Sequence, residues 1–98
     1  MKKDPLILIG EQNPADFIFL KRALERGGLG NFRLTRDGAQ VIDYLKGTGR
    51  FQDREAHPLP DYLFLNFDMP KVSGLVVSEW IEKHRDSVHI EEPLHRLF

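Results

Sequence analysis

The chain has 98 residues, a formal net charge of −1 and no cysteine, which bounds it to one small domain that buries about 60–65% of its unfolded surface. The near-neutral charge leaves no electrostatic footprint for nucleic acid or an anionic membrane, and the lack of cysteine excludes disulfides and thiolate chemistry, as suits a cytoplasmic protein. The opening MKKDPLILIG holds too short an apolar run for a signal peptide or a membrane span.

Residues 5–9, PLILI, read as a strand buried on both faces. Asn13 and Pro14 then supply a helix N-cap and first position, and Phe17, Leu20, Ala23 and Leu24 recur at helical spacing up to the stop at Gly27 and Gly28. FRLTR, residues 32–36, alternates apolar with polar and suits a half-buried edge strand. Asp37 and Gly38 turn the chain into a helix carrying Val41, Ile42 and Leu45, closed at Gly47. A polar stretch, TGRFQDREAHPLP, leads to a second continuously apolar strand, DYLFLNF, residues 61–67. Pro70 breaks the chain, and Ser73 caps a third helix with Val76, Val77, Trp80 and Ile81 as its inner face.

The alternation βαβαβα predicts an α/β fold with a parallel sheet between helical layers. The alternating second strand belongs at an edge and the two apolar strands in the middle, which gives the order 2-1-3, the start of a flavodoxin-like sheet. Residues 1–86 form this partial domain. Residues 87–98 are a tail with room for one short strand or helical turn and not for two more βα units. Val88 and Ile90 alternate like a strand, Leu94, Leu97 and Phe98 have the spacing of a helical turn, and Glu91, Glu92 and Pro93 separate the two.

Ligands of such sheets bind beyond the carboxyl ends of the strands, where the strand order reverses. The residues delivered there are Gly10, Glu11 and Gln12 from the first strand, and Asn66, Phe67 and Asp68 from the third. At this site LILIGEQNPADFIFLKRAL, RDGAQVIDYLKG and LPDYLFLNFDMPKVSG fall in the order of a receiver domain of two-component signalling. The chain most resembles single-domain, chemotaxis-type response regulators with a long loop before the third strand, some of which partner phytochrome-like kinases. The resemblance covers roughly the first 85 residues. It implies a role in phosphorelay signalling, a histidine kinase as partner and Mg2+ as the family's cofactor. It also implies an acidic pair after the first strand and a phosphoacceptor aspartate ending the third. Glu11 matches the first acid, but Gln12 matches the second and Asn66 matches the phosphoacceptor. The family's switch threonine or serine and its lysine lie on later strands that this chain does not supply.

An amide nitrogen with a delocalised lone pair is a poor nucleophile, and Mg2+ binds through charged oxygens. Glu11 and Asp68 are the only acids left in the expected pocket. The reading is therefore a degenerate receiver module that is not an enzyme, takes no phosphoryl group and has no cofactor, with the family's Mg2+ expected to bind weakly here and to add little stability. The rivals are a receiver that accepts phosphate on Asp68 or Glu11, and a structural fragment completed by dimerisation. Asn66 is expected to bond neighbouring backbone, Glu11 to be solvated or to cap the first helix, and Asp68 to be a solvated turn residue. His57, His84, His89 and His95 show no metal-ligand pattern and read as surface residues, and RFQDREAH reads as a solvated loop. Trp80 belongs to the core or to a subunit contact.

The third strand would be an exposed apolar edge in a 2-1-3 sheet, and such edges recruit other chains. Ser87 to Ile90 is expected to pair beside it, within the chain or from a second copy, and Leu94 to Phe98 to pack on the adjoining surface. Val88, Ile90, Leu94, Leu97 and Phe98 are thus the association residues, and a homodimer is the expected assembly.

Overall fold

The computed structural model describes residues 5–66 and 73–84, and the backbone of 95–97. The elements are β1 (Leu6–Gly10), α1 (Pro14–Arg26), β2 (Asn31–Thr35), α2 (Gly38–Lys46), a 3₁₀ turn (Gly49–Phe51), β3 (Tyr62–Leu65), α3 (Gly74–Lys83) and β4 (His95–Leu97). The sheet is parallel in the order β2-β1-β3-β4. Ile7 stands between Phe32 and Tyr62, and Ile9 between Leu34 and Phe64. The crossovers from β1 to β2 and from β2 to β3 run in opposite directions across the sheet. Right-handed connections therefore put α1 on one face and α2 with α3 on the other.

Each helix begins where a short polar side chain can accept an otherwise unpaired N–H. Asn13 Oδ1 accepts from Ala15 at 2.9 Å with Pro14 at the first helical position, and Asp37 Oδ1 accepts from Gln40 at 2.8 Å. Gly47 ends α2 at φ 72°, a left-handed turn in which a side chain is strained.

The core lies between the sheet and the α2–α3 layer. Leu8, Leu63 and Leu65 from the strands meet Val41, Tyr44, Leu45, Phe51, Val77 and Ile81, with Ile42 and Trp80 packed against them. Each such side chain contributes about 1.5–3 kcal/mol by leaving water. On the opposite face Ile7 and Ile9 are also fully buried. The α1 helix buries none of its own residues: Phe17, Leu20 and Leu24 are half-buried, and Ala23, expected on its inner face, is exposed. Val76, expected on the inner face of α3, is 49% exposed, because Val77 and Ile81 take the inward positions.

The tail differs from its spacing. A helical turn was expected over Leu94, Leu97 and Phe98, yet 95–97 is an extended strand paired with β3, His95 opposite Tyr62 and Leu97 opposite Phe64. One isolated turn of helix is marginal, whereas the outer edge of β3 offers a row of backbone donors and acceptors. With β4 in place, β3 lies inside the sheet. Ser87 to Ile90, with Val88 and Ile90, and also Leu94 and Phe98, lie outside the described residues.

Candidate functional site at the ends of β1 and β3

Two backbone bonds carry the sheet one residue beyond its strands. Glu11 N–H donates to Thr35 O at 3.0 Å, and Asn66 N–H donates to Gly10 O at 3.0 Å. Thr35 is fully buried, and its hydroxyl donates to Ile9 O at 2.9 Å, tying β2 to β1 just below the site. These bonds set Glu11 and Asn66 side by side although 55 positions separate them.

The Glu11 side chain is not solvated. It is 6% exposed, and its two carboxylate oxygens face the Asn66 amide nitrogen at 3.1 and 3.0 Å. One of them also accepts the backbone N–H of Asn13, the capping residue of α1, at 3.1 Å. The Asn66 side-chain nitrogen thus donates to a carboxylate, a partner that the sequence does not reveal. The orientation of the amide follows from chemistry, since the reverse orientation would set its carbonyl oxygen against two acceptors. A buried carboxylate needs donors, because an uncompensated charge there is costly. The Asn66 amide and the Asn13 N–H supply them as charge-assisted hydrogen bonds.

Of the other expected site residues, Gln12 is exposed, and Asp68 lies outside the described residues, as does Phe67. Among the described residues no group of three or more His, Asp or Glu side chains could hold a metal ion. Among the described residues, the Glu11 carboxylate as it is held does not fit magnesium. A hard divalent cation needs free charged oxygens, and the Glu11 oxygens already point at N–H groups.

The stretch before β3 is anchored where a solvated loop was expected. Phe51 is buried, and the Arg54 guanidinium donates to Leu45 O at 2.7 Å, Tyr44 O at 2.8 Å and His57 O at 3.0 Å. The Tyr44 hydroxyl donates to Pro58 O at 2.8 Å. Burial pushes the Tyr44 phenol above its ordinary value by more than the Arg33 and Arg54 guanidiniums pull it down. Two of the histidines, both partly exposed, pack against aromatic rings. His57 packs edge-on to the rings of Tyr44 and Phe51, with centroids 5.8 and 5.2 Å away, and His84 stacks on Trp80 at 4.4 Å. Sequence reasoning missed Arg54 and Tyr44. The one available signal was Phe51, an aromatic ring in an otherwise polar run.

A parallel sheet of this order, with polar residues gathered at the carboxyl ends of β1 and β3, defines a flavodoxin-like domain. No family model matches the chain. The polar-differentiation response regulator DivK of Brucella ovis is 29% identical over 84 residues, which span 86% of this chain and 59% of that protein. In structure the chain is similar to the bacteriophytochrome response regulator AtBRR, with a TM-score of 0.79 and 32% identity, over 97% of this chain and 66% of that one. It is likewise similar to the bacteriophytochrome response regulator RtBRR, with a TM-score of 0.76 and 34% identity, over 95% of this chain and 54% of that one. By sequence and fold together the chain is similar to the response-regulator receiver domains. It spans about three fifths of the length of the curated relative.

Proposed function

We propose that this chain is a degenerate receiver module of two-component phosphorelay signalling that acts by binding other proteins and not by accepting a phosphoryl group. The observation that carries the reading is Asn66, an amide at the family's phosphoacceptor position, turned onto the buried Glu11 carboxylate. An amide cannot form the acyl phosphate that a carboxylate forms. Glu11 is a poor substitute, because it is buried and its oxygens are engaged on two sides. Asp68 remains the rival acceptor.

The partner is a sensor histidine kinase or another signalling protein. The bacteriophytochrome regulators among its structural neighbours make a phytochrome-like kinase the first to test. A cytoplasmic setting accords with the composition; no helix among the described residues is long and apolar enough to cross a membrane. The proposed assembly is a homodimer joined through the tail, residues 87–98.

The test is intact-mass analysis after incubation with acetyl phosphate and magnesium. The reading expects the unmodified mass, and also poor labelling of the double variant Gln12→Asp, Asn66→Asp. A stoichiometric gain of one phosphoryl group on the native chain overturns it, and fragment masses would then show whether Asp68 or Glu11 carries the group.

A further inference from the structure

A receiver-type site needs something to hold its strand ends together. Carboxylates from two strands repel one another, and a divalent cation between them is the usual remedy. Here the ends of β1 and β3 meet, among the described residues, without like charges. Glu11 brings one negative charge, 6% exposed, and Asn66 brings an N–H₂ group whose nitrogen lies 3.0–3.1 Å from both carboxylate oxygens. The Asn13 N–H, 3.1 Å from one of those oxygens, extends the same contact to the start of α1. Beneath it, backbone bonds run from Glu11 to Thr35 and from Asn66 to Gly10, both 3.0 Å. One side-chain pair thus connects β1, β3 and the first turn of α1.

We infer that the Glu11–Asn66 pair replaces a divalent cation as the permanent tie between β1 and β3, so that magnesium is not a ligand of this site and the single change Asn66→Asp makes the tie depend on a cation. The inference takes from the proposed function only the location of the site; the tie itself rests on the hydrogen bonds. To bind at Glu11, a cation has to displace the Asn66 and Asn13 donors and then finds one carboxylate among the described residues. The native protein accordingly has one arrangement here, with or without metal. An aspartate at position 66 would face Glu11 at hydrogen-bond distance with both groups charged, and a cation then gains two carboxylates at once.

Thermal melts of the full chain at neutral pH, with and without millimolar magnesium, test the inference. The native midpoint should move by less than about 1 °C. Asn66→Asp should melt roughly 5–15 °C lower without the cation and recover most of that loss when magnesium is added. Glu11→Gln, which leaves an amide able to pair with Asn66, should show no response to magnesium. A clear native stabilisation by magnesium that Glu11→Gln abolishes overturns the inference, and so does an Asn66→Asp protein indifferent to the metal.

If Asn66→Asp does not fold, the native side-chain amide decides the matter by nitrogen–proton correlation spectroscopy. The Asn66 N–H₂ signals should be protected from exchange, stay in place on addition of magnesium and shift in Glu11→Gln. Fast exchange, or displacement by magnesium, refutes the tie. These readouts involve no phosphoryl donor. A labelled protein with an intact tie would overturn the proposed function alone, and an unlabelled protein with a free amide would overturn the tie alone.

Discussion

Replacing Arg54 with alanine should loosen the segment that leads into β3. The guanidinium donates to three backbone carbonyls, at 2.7, 2.8 and 3.0 Å, two of them in the last turn of α2. It also lies against Gly47, where an added Cβ would sit 2.8 Å from one of its nitrogens. A hydrogen bond from a charged donor is worth about 1.5–3 kcal/mol, but the freed carbonyls regain water, so the three together should cost about 2–4 kcal/mol. In a domain of this size each kcal/mol corresponds to about 4–8 °C, so the midpoint should fall by roughly 10–25 °C. Arg54→Lys should recover only a small part, since an ammonium keeps the charge but not the planar fork that reaches three acceptors. Urea unfolding followed by circular dichroism, with the midpoint converted through an unchanged slope, measures the difference. A loss below about 0.5 kcal/mol would refute the reasoning; the contacts of Phe51 and His57 with Tyr44 would then hold the segment without the arginine.

Three further outcomes can be measured. The Tyr44 phenol titrates higher when folded than when unfolded, so its contribution to stability is complete below about pH 10 and is lost as pH rises through the folded value. Tyr44→Phe should remove this alkaline loss while costing about 0.5–1.5 kcal/mol at pH 7 for the bond to Pro58, as denaturation at a series of pH values would show. Gly47→Ala should cost about 1–2 kcal/mol for the left-handed backbone alone, and more in the native background than beside Arg54→Ala, which removes the three atoms nearest the new Cβ. Light scattering at micromolar concentration should report about twice the chain mass, and deletion of 87–98 should cause aggregation; a stable, soluble monomer after that deletion would refute tail-mediated assembly.

The fold was legible because its signals are local. Two apolar runs, one alternating strand and the Asn13, Asp37 and Ser73 caps dictate the elements, and the contrast between strands dictates their order. The tail was misread because Leu94, Leu97 and Phe98 carry a helical spacing, while the outcome at 95–97 is set by the free edge of β3, a partner no local pattern reveals. At the site, the amide at position 66 could be read directly, but its partner could not. The bond from Asn66 to Glu11 depends on register between strands 55 residues apart. Arg54 was hidden for a related reason: an arginine in a polar run looks solvated until the end of α2 and the turn at His57 enclose it.

Whether the site can hold a phosphoryl group at all separates a degenerate receiver from a working one. Beryllofluoride, which mimics that group on a carboxylate in the presence of magnesium, reports this without a kinase and without the hydrolysis that erases an acyl phosphate. Fluorine resonance on the native chain with beryllofluoride and magnesium should show only the free fluoride species. A protein-bound fluorine signal of one equivalent would contradict the account.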